Sequence, residues 1–302
     1  VLVLAGNPRY LSNFPLWLKA RRQGLGVVWW GHGWTAGSHG LASRIRRRIM
    51  RHADVVMLYS DKERESYIRA GFDPERIFAT NNTIDTDAVS RAAEGWSKAE
   101  LESFREAELG GDDALLFCGR LTPKARVDLL IKALPGVLER SPGTRLCVIG
   151  SGREEAKLRE LARRLGVNES IRWLGRIVEQ AELAPWFLTA RAFVYPGTIG
   201  LSLIHAFAYG LPVITHDDLA HHMPEICAMT DGETGLLYER GNLQGLQEQI
   251  LRMLEHQELT RRLGDQAYRT VHDHYTMEQM VERFHDGLLC ASRHALRAQA
   301  SG

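Results

Sequence analysis

The stretch from Ala192 to Asp217, AFVYPGTIGLSLIHAFAYGLPVITHD, constrains the fold more than any other part of the chain. It reads as a strand, a glycine-bounded loop, a short helix and a second strand with almost no residues to spare. Ala192 to Tyr195 is an apolar, β-prone run that Pro196 and Gly197 stop. Leu201 to Tyr209 carries apolar residues all round, as a helix covered on both sides does. Gly210 ends it, and Pro212 opens the run Val213-Ile214-Thr215. Such a βαβ unit implies a parallel sheet with helices on its faces, so the expected class is α/β. The N–H groups of Gly200, Leu201 and Ser202 stand where the helix begins, without intrahelical acceptors and at the positive end of its dipole. They form a potential phosphate site; a plain crossover helix with a serine cap is the other reading of these residues.

At 302 residues, 44% of them hydrophobic, the chain has enough apolar material for two cores of ordinary domain size. A net charge of +1 argues against a nucleic-acid binder. Cys118, Cys147, Cys227 and Cys290 are far apart in apolar surroundings, which fits neither a metal knuckle nor a disulfide framework and suits a reducing cytoplasm. No apolar run approaches the roughly 18 residues of a membrane span, and no signal peptide is visible. The chain opens with Val1 inside an apolar strand, as a fragment would.

Three further motifs recur at strand ends. Gly119-Arg120-Leu121-Thr122-Pro123-Lys124 follows the strand Ala114 to Cys118, Gly150-Ser151-Gly152 follows Arg145 to Ile149, and Gly232-Glu233-Thr234-Gly235-Leu236-Leu237 precedes Tyr238. Together with PGTIGLSLIHAFAYGLPVIT and the turn Asn81 to Asp85, these resemble the retaining glycosyltransferases of family 4, from about Val27 to Phe284. That resemblance implies a GT-B fold, an α/β architecture of two Rossmann-like domains with parallel sheets facing a cleft. It also implies transfer of a sugar from a UDP- or GDP-linked donor to a saccharide or lipid-linked acceptor of a bacterial surface polymer, with no metal. Carried over residue by residue, Arg120 and Lys124 grip the donor diphosphate, and His32, between two glycines after Val27 to Trp30, lies beside the reacting sugar. Arg176 and Ile177 sit at the nucleobase, and Gly197, Thr198, Gly200, Leu201, Ser202 and His205 line the rest of the donor.

The pattern departs from the family at three positions. Gly197 and His205 stand where it carries glutamates, and Ala125, flanked by Lys124 and Arg126, stands at its lysine. His205 is then expected on the donor ribose, and Gly197 to leave open the place of a side chain that touches the sugar. The missing glutamates also admit a non-catalytic reading, a nucleotide-sugar sensor or partner subunit. A sugar-nucleotide epimerase of the same architecture is disfavoured by the two glycine motifs.

The expected organisation is residues 1–110 as the later part of an acceptor-side domain with its linker, 111–275 as the nucleotide-sugar domain, and 276–302 as a helix crossing back. Within the first part, Ser38 to His52 reads as a helix with Leu41, Ile45 and Ile49 at helical spacing. Arg44, Arg46, Arg47, Arg48 and Arg51 fill its other positions. Such a face is either solvated or held against anionic lipid, the second placing the protein on the inner face of the cytoplasmic membrane. A cluster after Thr215, with His216, Asp217, Asp218, His221, His222 and Glu225, has metal-ligand types but no clear ligand spacing.

Overall fold

A computed structural model describes residues 1–6, 10, 12–31, 47–111 and 113–300. His32, Arg44 and Arg46 therefore lie outside the described residues. The chain divides into two compact units, residues 1–83 with 275–302, and residues 84–274.

The first unit is built on β1 (Leu2–Ala5), α1 (Asn13–Arg22), β2 (Val27–Trp30), β3 (Val55–Leu58), α2 (Asp61–Arg69) and β4 (Ile77–Ala79). Its four strands pair in the order β1-β2-β3-β4, all parallel. The runs VVWW and VVML are apolar throughout because both faces of a parallel sheet are covered. One face packs on α1 and α2 through Ala20, Val27, Val56, Leu58 and Tyr67. The other, with Val28, Val55 and Met57, is covered by the helix at the end of the chain, residues Met277–Ala300. There Phe284 meets Trp30 edge-on at 5.1 Å. Ser60 caps α2 by accepting from the Glu63 N–H.

The second unit continues with α3 (Thr86–Glu94), α4 (Lys98–Leu109), β5 (Ala114–Cys118), α5 (Val127–Arg140), β6 (Arg145–Ile149), α6 (Glu155–Arg164) and β7 (Ile171–Gly175). It is completed by α7 (Gln180–Thr189), β8 (Ala192–Val194), α8 (Leu201–Ala208), β9 (Val213–His216), β10 (Gly235–Tyr238), α9 (Leu243–Glu255) and α10 (Gln257–His274). The helix Met277–Ala300 is α11. All six strands are parallel, in the order β10-β9-β8-β5-β6-β7. Counted from β5, this is the doubly wound order 3-2-1-4-5-6 read from the far edge. Helices α5, α6 and α9 cover one face around Phe117, Leu130, Val148 and Ile250, while α7 and α8 cover the other, where Phe187 stacks on Phe193.

Residues 84–110, read from sequence as the linker that follows the first domain, group with this second unit. Helix α3 packs on α7, and Phe104 of α4 meets Trp96 and Trp186 edge-on at 5.8 and 4.8 Å. Among the described residues no helix is long and apolar enough to cross a membrane.

Candidate functional site

In an open doubly wound sheet, ligands bind beyond the carboxyl ends of the strands where the strand order reverses. In the second unit that point lies between β5 and β8, which are neighbours although three strands apart in sequence. The segments leaving these two strands carry the Arg120 motif and the glycine loop that opens α8.

The two segments touch backbone to backbone. Thr198 donates its N–H to the Lys124 carbonyl at 2.9 Å. A Cβ on Gly197 would stand 1.9 Å from that same oxygen and 2.6 Å from the Ala125 carbonyl carbon. The main chain of Lys124 and Ala125 thus stands where a Cβ at 197 would go, and a glutamate at this position would require one of the two segments to shift. The G-x-G turn after β6 obeys the same logic, since a Cβ on Gly150 would stand 1.9 Å from the Gly119 carbonyl oxygen. Leu121 donates its N–H to the Ser151 carbonyl, and Gly150 donates to Gly175. The ends of β5, β6, β7 and β8 are therefore knit by main-chain contacts.

On this frame stand the cations. Arg120 and Lys124 are exposed, and neither side chain makes an ion pair or hydrogen bond among the described residues. Arg126 is instead held by Asp128 at 3.0 Å, and Asp128 also holds Lys132. Ala125, at the family's lysine position, is buried. Of the two basic neighbours of that position, Lys124 is the one left unpaired among the described residues. Tyr195, at the end of β8, stacks on Phe117 at 5.0 Å; burial raises its phenol, and neighbouring Arg120 pulls against the rise.

Helix α8 begins at Gly200 with no side-chain cap. The N–H groups of Gly200, Leu201 and Ser202 have no protein partner among the described residues. They are the donors a phosphate would take. Arg176 is exposed and Ile177 half-buried in the segment that follows Gly175, whose φ is +67°.

His205 lies deeper. Its Nε2 is 3.0 Å from the Gln180 side-chain oxygen, which also accepts from the Tyr209 hydroxyl at 3.1 Å. Its ring packs 4.6 Å from Phe187, and burial pushes its pKa down to about 4, so it is neutral near pH 7. A ribose hydroxyl that reached Nε2 would have to take the place of Gln180.

Of the His/Asp cluster, Asp218 is engaged by His221 and Arg240, each at 2.8 Å. His222 spends both ring nitrogens on main chain, one on Ile199 and one on His216. The links His205–Gln180 and His222–Ile199 span 25 and 23 residues, and no local motif announces either.

The model for glycosyl transferases group 1 matches residues 99–270, and that for glycosyltransferase family 4 matches residues 7–88. The chain belongs to the glycosyl transferases group 1 family. Among curated relatives, D-inositol 3-phosphate glycosyltransferase 2 of Catenulispora acidiphila is 32% identical over 204 residues, which are 63% of this chain and 45% of that protein. The chain spans about half the length of the curated relatives it matches. A glycosyltransferase structure from Rickettsia africae superposes with a TM-score of 0.76 at 15% identity, over 95% of this chain and 76% of the other. Anabaena HepE in complex with UDP gives 0.66 at 18% identity, over 95% and 75%. With these neighbours, the two parallel-sheet units of this group 1 member are those of the GT-B fold.

Proposed function

We propose that this chain transfers a sugar from a UDP- or GDP-linked donor to a saccharide or lipid-linked acceptor, retaining the anomeric configuration and using no metal. The observation that carries the reading is the pairing, at one reversal point, of two unpaired exposed cations with three unpaired N–H groups on segments in main-chain contact. That is the equipment for a diphosphate leaving group. As the C1–O bond to the donor phosphate breaks, charge grows on the phosphate oxygens, and Arg120, Lys124 and the start of α8 offset it. The acceptor hydroxyl forms the new C1–O bond on the face just vacated and passes its proton to a donor phosphate oxygen. The start of α8 also adds its dipole, which favours the diphosphate over the neutral sugar.

The acceptor side is read from the first unit. A hollow of about 300 Å³ is lined by Phe14, Trp17, Trp29 and Ile49, with Arg48 and His52 among its walls. An apolar chain with an anionic head suits that lining, in line with a lipid-linked acceptor in a bacterial surface polymer pathway at the inner face of the membrane. Of the arginines read as lipid-facing, Arg48 and Arg51 are exposed and Arg47 is half-buried; Arg51 also donates to the Ala70 carbonyl at 2.8 Å and lies over Phe72.

A panel of UDP- and GDP-sugars, scored by nucleotide release with and without lipid-linked acceptors, tests the reading. Release with one donor supports it. Binding of a nucleotide sugar with no release under any condition supports the sensor reading, which the closed position at Gly197 favours.

A further inference from the structure

The segment that opens α8 is held from two sides. On one, Thr198 donates to the Lys124 carbonyl. On the other, Ile199 donates its N–H to Nδ1 of His222 at 3.2 Å, and its carbonyl accepts from the Met223 N–H at 2.9 Å. Met223 also lays its side chain against Gly200. His222 comes from the segment after β9 and is 1% exposed. Its Nε2 donates to the His216 carbonyl at 2.9 Å, and its ring stacks on His216 with centroids 3.8 Å apart. These partners fix the tautomer, because Nδ1 must be bare to accept from Ile199 and Nε2 then carries the proton. Burial keeps the ring neutral, with its pKa lowered to about 4.

The N–H groups of Thr198 and Ile199 are thus tied off, and the next three are left for a ligand. A helix start aims its donors only as well as the residues before its first turn are held. Gly197 has no room for a side chain, so the segment has no brace of its own at that position.

We propose that His222 is the positioning residue of the donor site: by fixing Ile199 it sets the direction of the N–H groups of Gly200, Leu201 and Ser202 toward the nucleotide diphosphate. This rests on the donor-site reading above. His222 touches no substrate; it acts through the main chain.

Two amide variants separate positioning from packing. In His222→Asn the side-chain oxygen falls at the place of Nδ1 and still accepts from Ile199. In His222→Gln the amide reaches only the His216 side. Hydrogen exchange over residues 198–203 is measured without ligand, UDP and GDP binding by calorimetry, and donor KM and kcat by nucleotide release. The expected result is His222→Asn within about threefold of the parent in nucleotide affinity and donor KM. His222→Gln should be about tenfold weaker in nucleotide affinity and donor KM, with kcat lowered as well because the same N–H groups offset charge on the leaving diphosphate, and with faster exchange at Ile199 and Leu203. Equal behaviour of the two variants, whether both like the parent or both impaired alike, overturns the proposal. If the parent binds neither UDP nor GDP at millimolar concentration, the donor reading has failed, and exchange alone decides the brace. Faster exchange in His222→Gln than in His222→Asn then upholds the hold on Ile199, and equal exchange removes it.

Discussion

Replacing Gly197 with alanine is expected to destabilise the second unit by about 2–4 kcal/mol, and restoring the family's glutamate by at least as much. The figure follows from the contact. A Cβ at 197 would lie 1.9 Å from the Lys124 carbonyl oxygen, with the Ala125 carbonyl carbon at 2.6 Å and its oxygen at 2.8 Å. Main-chain atoms cannot swing aside as a side chain can, so one segment must retreat by about an ångström. That retreat breaks the Thr198–Lys124 hydrogen bond, about 0.5–1.5 kcal/mol, and disturbs buried Ala125 and its neighbours, a further 1–3 kcal/mol for overpacking. For a unit of this size each kcal/mol lowers Tm by about 2–4 °C, so the expected fall is roughly 5–15 °C. Thermal unfolding followed by circular dichroism reads it, with nucleotide release measured well below Tm. Because the retreat also displaces Lys124 from α8, activity should drop even where the protein is folded. A Gly197→Ala protein that melts within 1 °C of the parent, or a Gly197→Glu protein that is more active, would refute the reasoning.

Arg120→Ala is expected to cut nucleotide release by about ten- to a hundredfold with Tm unchanged, since an exposed, unpaired guanidinium contributes little to folding; activity within twofold of the parent would remove it from the site. Lys124→Ala should impair release in the same way and Arg126→Ala should not, because Asp128 already holds Arg126; the reverse ranking in steady-state assays would exchange their roles. Stability should fall with acid: the pKa values of His205, His216 and His222 are lowered by burial to about 4, 3 and 4. Their contribution is therefore present above the unfolded value of about 6.5 and is lost as pH drops toward 4. A Tm profile that is flat from pH 7 to 4.5 would contradict this, and His222→Asn, with no proton to take up, should flatten the profile in part. Arg47→Glu with Arg48→Glu should weaken binding to anionic vesicles at low salt, at roughly 1 kcal/mol per lost charge plus repulsion; unchanged sedimentation would leave that turn a solvated face.

Much of the architecture was legible because it is written locally. The runs LLF, CVI, AFV and VIT are too short and too apolar for anything but covered parallel strands, and the glycines and prolines around them mark where each stops. The Arg120 motif and the glycine loop before Leu201 were legible for the same reason, since each is a few consecutive residues at a strand end. The meaning of Gly197 was not. Its neighbour is the main chain of Lys124, and nothing in the sequence near 197 records that approach. His222 looked like a candidate metal ligand because its residue type suits a metal; only the fold shows that its two nitrogens are taken by Ile199 and His216. The grouping of residues 84–110 was hidden likewise, because the amphipathic helices α3 and α4 advertise an apolar face without naming the core that will receive it.

Helix α11 closes one face of the first unit: Gly287 lies so near Met57 that a Cβ would be 2.3 Å from its methyl carbon, and Gly26 is as close to the Ala291 carbonyl. Val28, Val55 and Met57 therefore wait for a segment that leaves the ribosome only after all of residues 84–274 have been made. At cellular elongation rates that wait is on the order of ten seconds or more, during which the first unit is a half-covered sheet and the contiguous second unit can already finish folding. Synthesis order thus inverts folding order, and a ribosome halted before residues 275–302 emerge leaves behind one finished unit tethered to one sticky sheet.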